Sequence, residues 1–372
     1  MSISLIFGPV NSGKTEELKR HMNRFLVMGK DVIVILPKIV EPSTNYSCIP
    51  VCYTEYLIEC IDNKMVLDAD VIAVDNLHYF PDSISVLSLL CNKLKKTIIC
   101  AGLDNDEYRV YYQNVVDLIP KSDYSYKLNG LCTYTCDGTS GIFSKKDSSG
   151  KINNVSRRAF IGHDVGSLHV ITGPMYSGKT SELIRITRQY ELIHKKILAI
   201  NYSKDKRYDK DSNISSHNHD KLEKTLSLES LDGLLTDLYH IIENVDVIVI
   251  DEIQFFRNCF DIIKELVETH NKIVIVSGLD GDFLQNPFGD ILKLAAFSDR
   301  FIRLNAVCKL SGNFADAHFT RRLVNSSETE LIGGLDIYMA VSREIYNLSE
   351  NDFLKLNERE YTEEVEEVQE EY

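Results

Sequence analysis

No run of apolar residues among the 372 is long enough to cross a bilayer as a helix. The opening segment MSISLIFGPV lacks a basic start and a small-residue cleavage site, so no signal peptide is expected and the segment reads as a strand. Cysteine occurs nine times, an odd number without framework spacing. That argues against a disulfide-built secreted domain and for a reducing compartment, with a cytoplasmic location expected. Excess positive charge is also lacking: the formal net charge is −14. From Ser349 to Tyr372 ten acidic and two basic residues give −8, which leaves about −6 for the rest. Such a chain is a poor candidate for gripping nucleic acid through its phosphates. The acidic segment 349–372 is expected to be a solvated, disordered tail. No Gly/Pro-rich linker divides the chain.

What is present is a domain-sized repeat. Gly8-Pro9-Val10-Asn11-Ser12-Gly13-Lys14-Thr15 returns 165 residues later as Gly173-Pro174-Met175-Tyr176-Ser177-Gly178-Lys179-Thr180. Four further anchors share an offset of 176: VIAVD at Val71 with VIVID at Val247, Leu103-Asp104 with Leu279-Asp280, KLNGLC at Lys127 with RLNAVC at Arg303, and FSKK at Phe143 with FTRR at Phe319. A common register at four places implies a tandem duplication. Copy one is shorter by eleven residues between its glycine-rich loop and its acidic strand. The expected domains are 1–166 and 167–348, followed by the tail. In each, short Ile/Val runs such as LHVIT, ILAIN and VDVIVI alternate with amphipathic segments such as SELIRITRQYELIH. This predicts an α/β fold with a parallel sheet and helices on both faces, and ligands at the carboxyl ends of the strands.

In both copies G-x-x-x-x-G-K-T follows a strand and opens a helix, the context in which it binds phosphates. In copy two the ATP-binding candidates are therefore Gly173, Pro174, Met175, Tyr176, Ser177, Gly178, Lys179 and Thr180. Lys179 is positioned to reach the β- and γ-phosphates, and Thr180 to ligate Mg²⁺. The run VIVIDE closes an apolar strand with two carboxylates. Asp251 suits Mg²⁺, and Glu252 is free to accept a proton from an attacking hydroxyl. On these residues alone, a nucleoside kinase, another P-loop NTPase and a non-catalytic nucleotide-binding scaffold all remain open.

The blocks GPMYSGKT, KDKRY (Lys204–Tyr208), DEIQFF (Asp251–Phe256), LDGDFLQNPFG (Leu279–Gly289), FTRRL (Phe319–Leu323) and ELIGGLDIY (Glu330–Tyr338) resemble, in order, the type II thymidine kinases of cells and large DNA viruses. The resemblance covers copy two almost end to end. It implies ATP-dependent phosphorylation of the thymidine or deoxyuridine 5′-hydroxyl, with Glu252 as general base and Mg²⁺ shared by Asp251 and Thr180. It places Asp205, Arg207 and Gln254 with the ATP site. Phe255, Phe283 and Phe288 become an aromatic wall for the base, and Met175 and Leu279 neighbours of the thymine methyl. Thr329, Glu330, Leu331, Ile332 and Gly333 become a lasso loop on the base edge, closed over by Tyr338. It also implies feedback by thymidine triphosphate and, since family members are often tetramers and the fused copies supply two subunit equivalents, leaves open a monomer or a homodimer forming a pseudo-tetramer. A lasso-like subdomain is expected after each sheet.

Two departures stand out. Where family members hold the lasso with four zinc-bound cysteines, Cys308 faces Ser311, Ser342 and Ile345 at the other positions, so no structural zinc is expected. Copy one has Asn76 for Glu252 and Glu107 for Phe283, and its lasso-like IGHD (Ile161–Asp164) lacks paired glycines. It reads as a degenerate kinase that keeps a second nucleotide site at Gly8, Gly13, Lys14 and Thr15. Its Cys132 and Cys136 read as free thiols.

Overall fold

A computed structural model describes residues 1–40, 46, 49–204, 214–215, 221–222, 225–311, 315–324, 333 and 336–357. Two six-stranded, all-parallel sheets dominate it. In the first the strand order is Val51–Thr54, Val32–Pro37, Val71–Val74, Thr97–Leu103, Ser2–Gly8, Tyr124–Lys127. The second repeats it as Thr225–Leu228, Ile197–Tyr202, Val247–Ile250, Ile273–Gly278, Ser167–Thr172, Arg300–Arg303. Buried, β-branched runs such as VIAV and VIVI occupy the sheet interiors because helices cover both faces. The 176-residue register seen in the sequence is thus a register of equivalent strands. No helix among the described residues is long and apolar enough to cross a membrane.

The order fixes where the motifs meet. The glycine-loop strand Ser167–Thr172 and the acidic strand Val247–Ile250 flank Ile273–Gly278, so their carboxyl ends lie one strand apart. Neighbouring strands are spaced about 4.8 Å apart. A helix starting at the glycine loop can therefore reach the acidic end with its first side chains.

The two copies share one apolar core. It includes Phe143 and Val155 from the first and Leu292, Ala295 and Phe297 from the second. The outer strands Tyr124–Lys127 and Arg300–Arg303 lie near each other, with Phe7 and Phe301 edge to face at 5.3 Å. Lys127 Nζ donates to Ala295 O at 3.0 Å, and Arg303 Nη1 donates to Asp123 O at 2.9 Å. These bonds satisfy buried polar groups within a contact that is otherwise driven by apolar burial.

Two expectations are corrected here. IGHD of copy one forms no lasso. Ile161 ends the helix Arg157–Ile161, and Gly162 caps it in the left-handed region at φ 97°. The hairpin Phe319–Arg322 with Tyr338–Val341 of copy two corresponds in copy one to Phe143–Lys146 with Ile152–Val155. That hairpin is closed by a tight turn in which Asp147 Oδ1 accepts from Ser149 N and Lys151 N. So short a connection leaves no chain for a lasso. The second correction concerns the acidic tail. Residues 350–357 are helical, Phe353 is fully buried, and the Arg321 guanidinium sits 3.9 Å above its ring. Residues 358–372 lie outside the described residues.

Candidate functional site

Copy two's loop curls because Gly173 (φ 146°) and Gly178 (φ 80°) hold conformations that side chains disfavour. A Cβ at Gly173 would meet Leu304 O at 2.4 Å. Lys179 and Thr180 begin the helix Lys179–Leu192, whose first N–H groups face the loop. Lys179 Nζ donates to Pro174 O at 2.7 Å. Met175 N donates to Thr320 Oγ1 at 3.0 Å, tying the loop to the hairpin of Phe319–Arg322 and Tyr338–Val341.

Thr180 Oγ1 donates to Asp251 Oδ2 at 2.9 Å, while Ser277 Oγ from the intervening strand donates to Oδ1. The Asp251 carboxyl is pushed up to about 6, first by burial and then by the charge of Glu252 beside it; the bonds from Ser277 and Thr180 pull the other way. Glu252 sits in the left-handed region (φ 53°, ψ 41°). That conformation is costly for a non-glycine residue. Gln254 Nε2 donates to Glu252 Oε2 at 2.5 Å, and Gln254 Oε1 accepts from Leu279 N at 3.0 Å. Gln254 thus orients Glu252 against the strand end that carries Leu279. Thr180 and Asp251 present adjacent oxygens, the donor type that Mg²⁺ prefers, so these residues fit that ion.

Beyond the acids, Phe255 stacks on Tyr202 at 5.1 Å and meets Phe288 edge to face at 5.5 Å. Phe283 is half-buried, with the Arg322 guanidinium 3.8 Å from its ring centroid. Arg322 Nη2 donates to Tyr338 OH at 2.9 Å, so one arginine links two of the expected base-pocket residues. Met175 is buried and Leu279 half-buried. Gly333 is described, whereas Asp205, Arg207, Thr329, Glu330, Leu331 and Ile332 lie outside the described residues. At the expected cysteine positions, Cys308 and Ile345 pack with Phe319, Val341 and Phe353 in an apolar cluster.

Sequence reasoning missed Ser277, Tyr202, Thr320 and Arg322. Ser277 carries the clearest signal, a polar residue closing the apolar run IVIVSG beside the acidic strand.

Copy one repeats the loop: Gly8 and Gly13 have φ 149° and 83°, and Thr15 Oγ1 donates to Asp75 Oδ2 at 2.9 Å. Lys14 Nζ turns back to Pro9 O, and its pKa is lowered to about 8 by burial, against the pull of Asp104 and Asp75. Asn76 occupies Glu252's left-handed place at φ 57°, and His78 takes Gln254's, accepting from Leu103 N at 3.3 Å. Ala101 stands where copy two has Ser277. Among the described residues, Cys132 and Cys136 are free thiols.

A phosphate loop between a parallel strand and a helix, with an acidic strand end alongside, defines the P-loop class of α/β proteins. A family model described as thymidine kinase matches residues 1–158 and 166–346, and the chain belongs to that family. Among its relatives are the thymidine kinase of Myxoma virus (strain Uriarra), 39% identical over 181 residues, which are 49% of this chain and 96% of the relative. Thymidine kinase 1 of Dictyostelium discoideum is 40% identical over 190 residues, 50% of this chain and 80% of the relative. The Vaccinia virus (strain Western Reserve) thymidine kinase is 39% identical over 182 residues, 49% and 97% respectively. The relatives thus span about one copy, whereas the family model matches both.

Proposed function

We propose that copy two transfers the γ-phosphoryl group of ATP to the 5′-hydroxyl of thymidine, with deoxyuridine as an alternative acceptor, giving the nucleoside monophosphate. The observation that carries this reading is the carboxylate pair. Glu252 stands beside Asp251 and Thr180 in copy two, whereas copy one offers the amide of Asn76, which cannot take a proton.

Glu252 accepts the 5′-hydroxyl proton while Gln254 holds its other oxygen. The loop N–H groups and Lys179 cradle the β- and γ-phosphates. Magnesium held by Thr180 and Asp251 would supply charge neutralisation there. Tyr202, Phe255 and Phe288 offer flat faces to the base, with Met175 and Leu279 at the thymine methyl. Asp205 and Arg207 belong with the phosphates, and Thr329 to Gly333 with the base edge, in the same reading. Feedback by thymidine triphosphate, and pairing of two chains whose four copies imitate a tetramer, are further parts of it.

Incubating the chain with γ-labelled ATP and a panel of nucleosides tests the proposal. Label is expected on thymidine and deoxyuridine, and not on cytidine or adenosine. ATP hydrolysis stimulated by nucleic acid, with no labelled nucleoside, would contradict it.

A further inference from the structure

The loops of the two copies share the positive φ of their glycines and the threonine–aspartate bond, yet their carboxylates differ in what else reaches them. In copy two the second side chain bonded to the aspartate is Ser277, which approaches Oδ1. In copy one it is Tyr46, whose hydroxyl donates to Asp75 Oδ2 at 2.7 Å. That oxygen also accepts from Thr15 at 2.9 Å, while Oδ1 takes the Asn76 N–H at 2.9 Å. Both lone-pair directions of Oδ2, the oxygen shared with the threonine, are therefore filled.

The tyrosine is not a surface residue resting there by chance. It is buried at 4% exposure and packs with Leu18, Met22, Val34 and Leu36 in the core behind the loop helix. Lys19 lies 5.9 Å from its ring. Burial and the neighbouring carboxylate push its phenol far above the ordinary range, so it stays a donor. Magnesium demands oxygen lone pairs at about 2.0–2.1 Å in near-octahedral array. At Asp75 it would meet the hydroxyl hydrogen of Tyr46 instead, and entry requires that a packed ring be moved out. The residues of copy one therefore do not fit the ion that those of copy two fit.

We infer that Tyr46 is an internal plug which excludes the magnesium complex of a nucleoside triphosphate from copy one, so that each chain holds one such complex rather than two. The inference rests on reading copy two as the magnesium–nucleotide site. It goes further by assigning the exclusion in copy one to a single side chain rather than to decay of the phosphate loop.

The test is the stoichiometry with which the full chain binds a non-hydrolysable ATP analogue in the presence of Mg²⁺, read by equilibrium dialysis. The expected values are one per chain for wild type, none for Lys179→Ala, two for Tyr46→Phe, and one for the double variant Tyr46→Phe/Lys179→Ala. A wild-type stoichiometry of two, with the second site lost in Lys14→Ala, overturns the inference. So does a folded Tyr46→Phe chain that still binds one. A wild type that binds none, with Tyr46→Phe binding one, would leave the plug standing and sink the reading of copy two. Should Tyr46→Phe fail to fold, titrating wild type with Mn²⁺ and the analogue decides instead: one Mn²⁺–nucleotide complex per chain supports the plug, and two overturn it.

Discussion

Arg343, from the helix Arg343–Tyr346 of copy two, forms a buried ion pair at 2.8 Å with Asp123 of copy one. The same arrangement runs the other way, since Arg157 of copy one pairs with Asp299 of copy two at 2.9 Å. Arg343 also donates to Lys121 O and to Asn92 Oδ1, and Arg157 donates to Phe297 O and to Glu268 Oε1, each the residue 176 positions on. Asp123 and Asp299 in turn accept from Ile3 N and Leu168 N, at the start of each loop strand. The copies are thus joined by a pseudo-two-fold exchange of arginines, as two subunits of a symmetric dimer would be.

Removing one partner of such a buried pair leaves an uncompensated charge and costs about 3–5 kcal/mol. Arg343→Met should lower the urea midpoint accordingly. Arg343→Met combined with Asp123→Leu should recover part of the loss. Equal stability of Arg343→Met and wild type would show that the exchange contributes nothing.

Asp251 gives a pH prediction with a definite sign. Its pKa is raised in the folded chain, to about 6, from the usual value near 4, so the folded state holds the proton more tightly than the unfolded state. The stability this contributes is full below about pH 4 and is lost as pH rises through about 6. Asp251→Asn removes the buried charge. It should therefore be more stable than wild type at pH 7, by about 3 kcal/mol, with the advantage fading towards pH 4. Thermal melts of the two proteins across that range check this, and an advantage that grows on acidification would contradict it.

Phe353 anchors the start of the acidic tail in the cluster that holds Phe319, Ala340 and Val341 of the copy-two hairpin. Phe353→Ala should destabilise that subdomain by about 3 kcal/mol. Because the hairpin carries Tyr338, thymidine KM should rise more than ATP KM. Equal effects on both would place Phe353's influence elsewhere.

The sheets were legible because buried parallel strands demand runs such as VIVI and IVIVSG, and because the 176-residue register repeats them. The acid pair was legible because two carboxylates close an otherwise apolar strand. Ser277 and Arg322 were harder to read, since their roles arise only when Ile273–Gly278 is inserted beside Asp251 and when the hairpin folds over Phe283. Tyr46 lies in the stretch where the copies differ in length, so no register pointed to its partner. Phe353 was masked by the acidic residues around it. IGHD was misread because its glycine serves a helix end, which a short motif does not distinguish from a loop.

The central claim is that Glu252 takes the substrate proton in copy two. Turnover of Glu252→Gln with thymidine and ATP, measured beside binding of a non-hydrolysable ATP analogue, tests it most directly. The account predicts a loss of about 10²–10⁴-fold in turnover with analogue binding unchanged. Turnover within about threefold of wild type, a change too small for the loss of a general base, would contradict it.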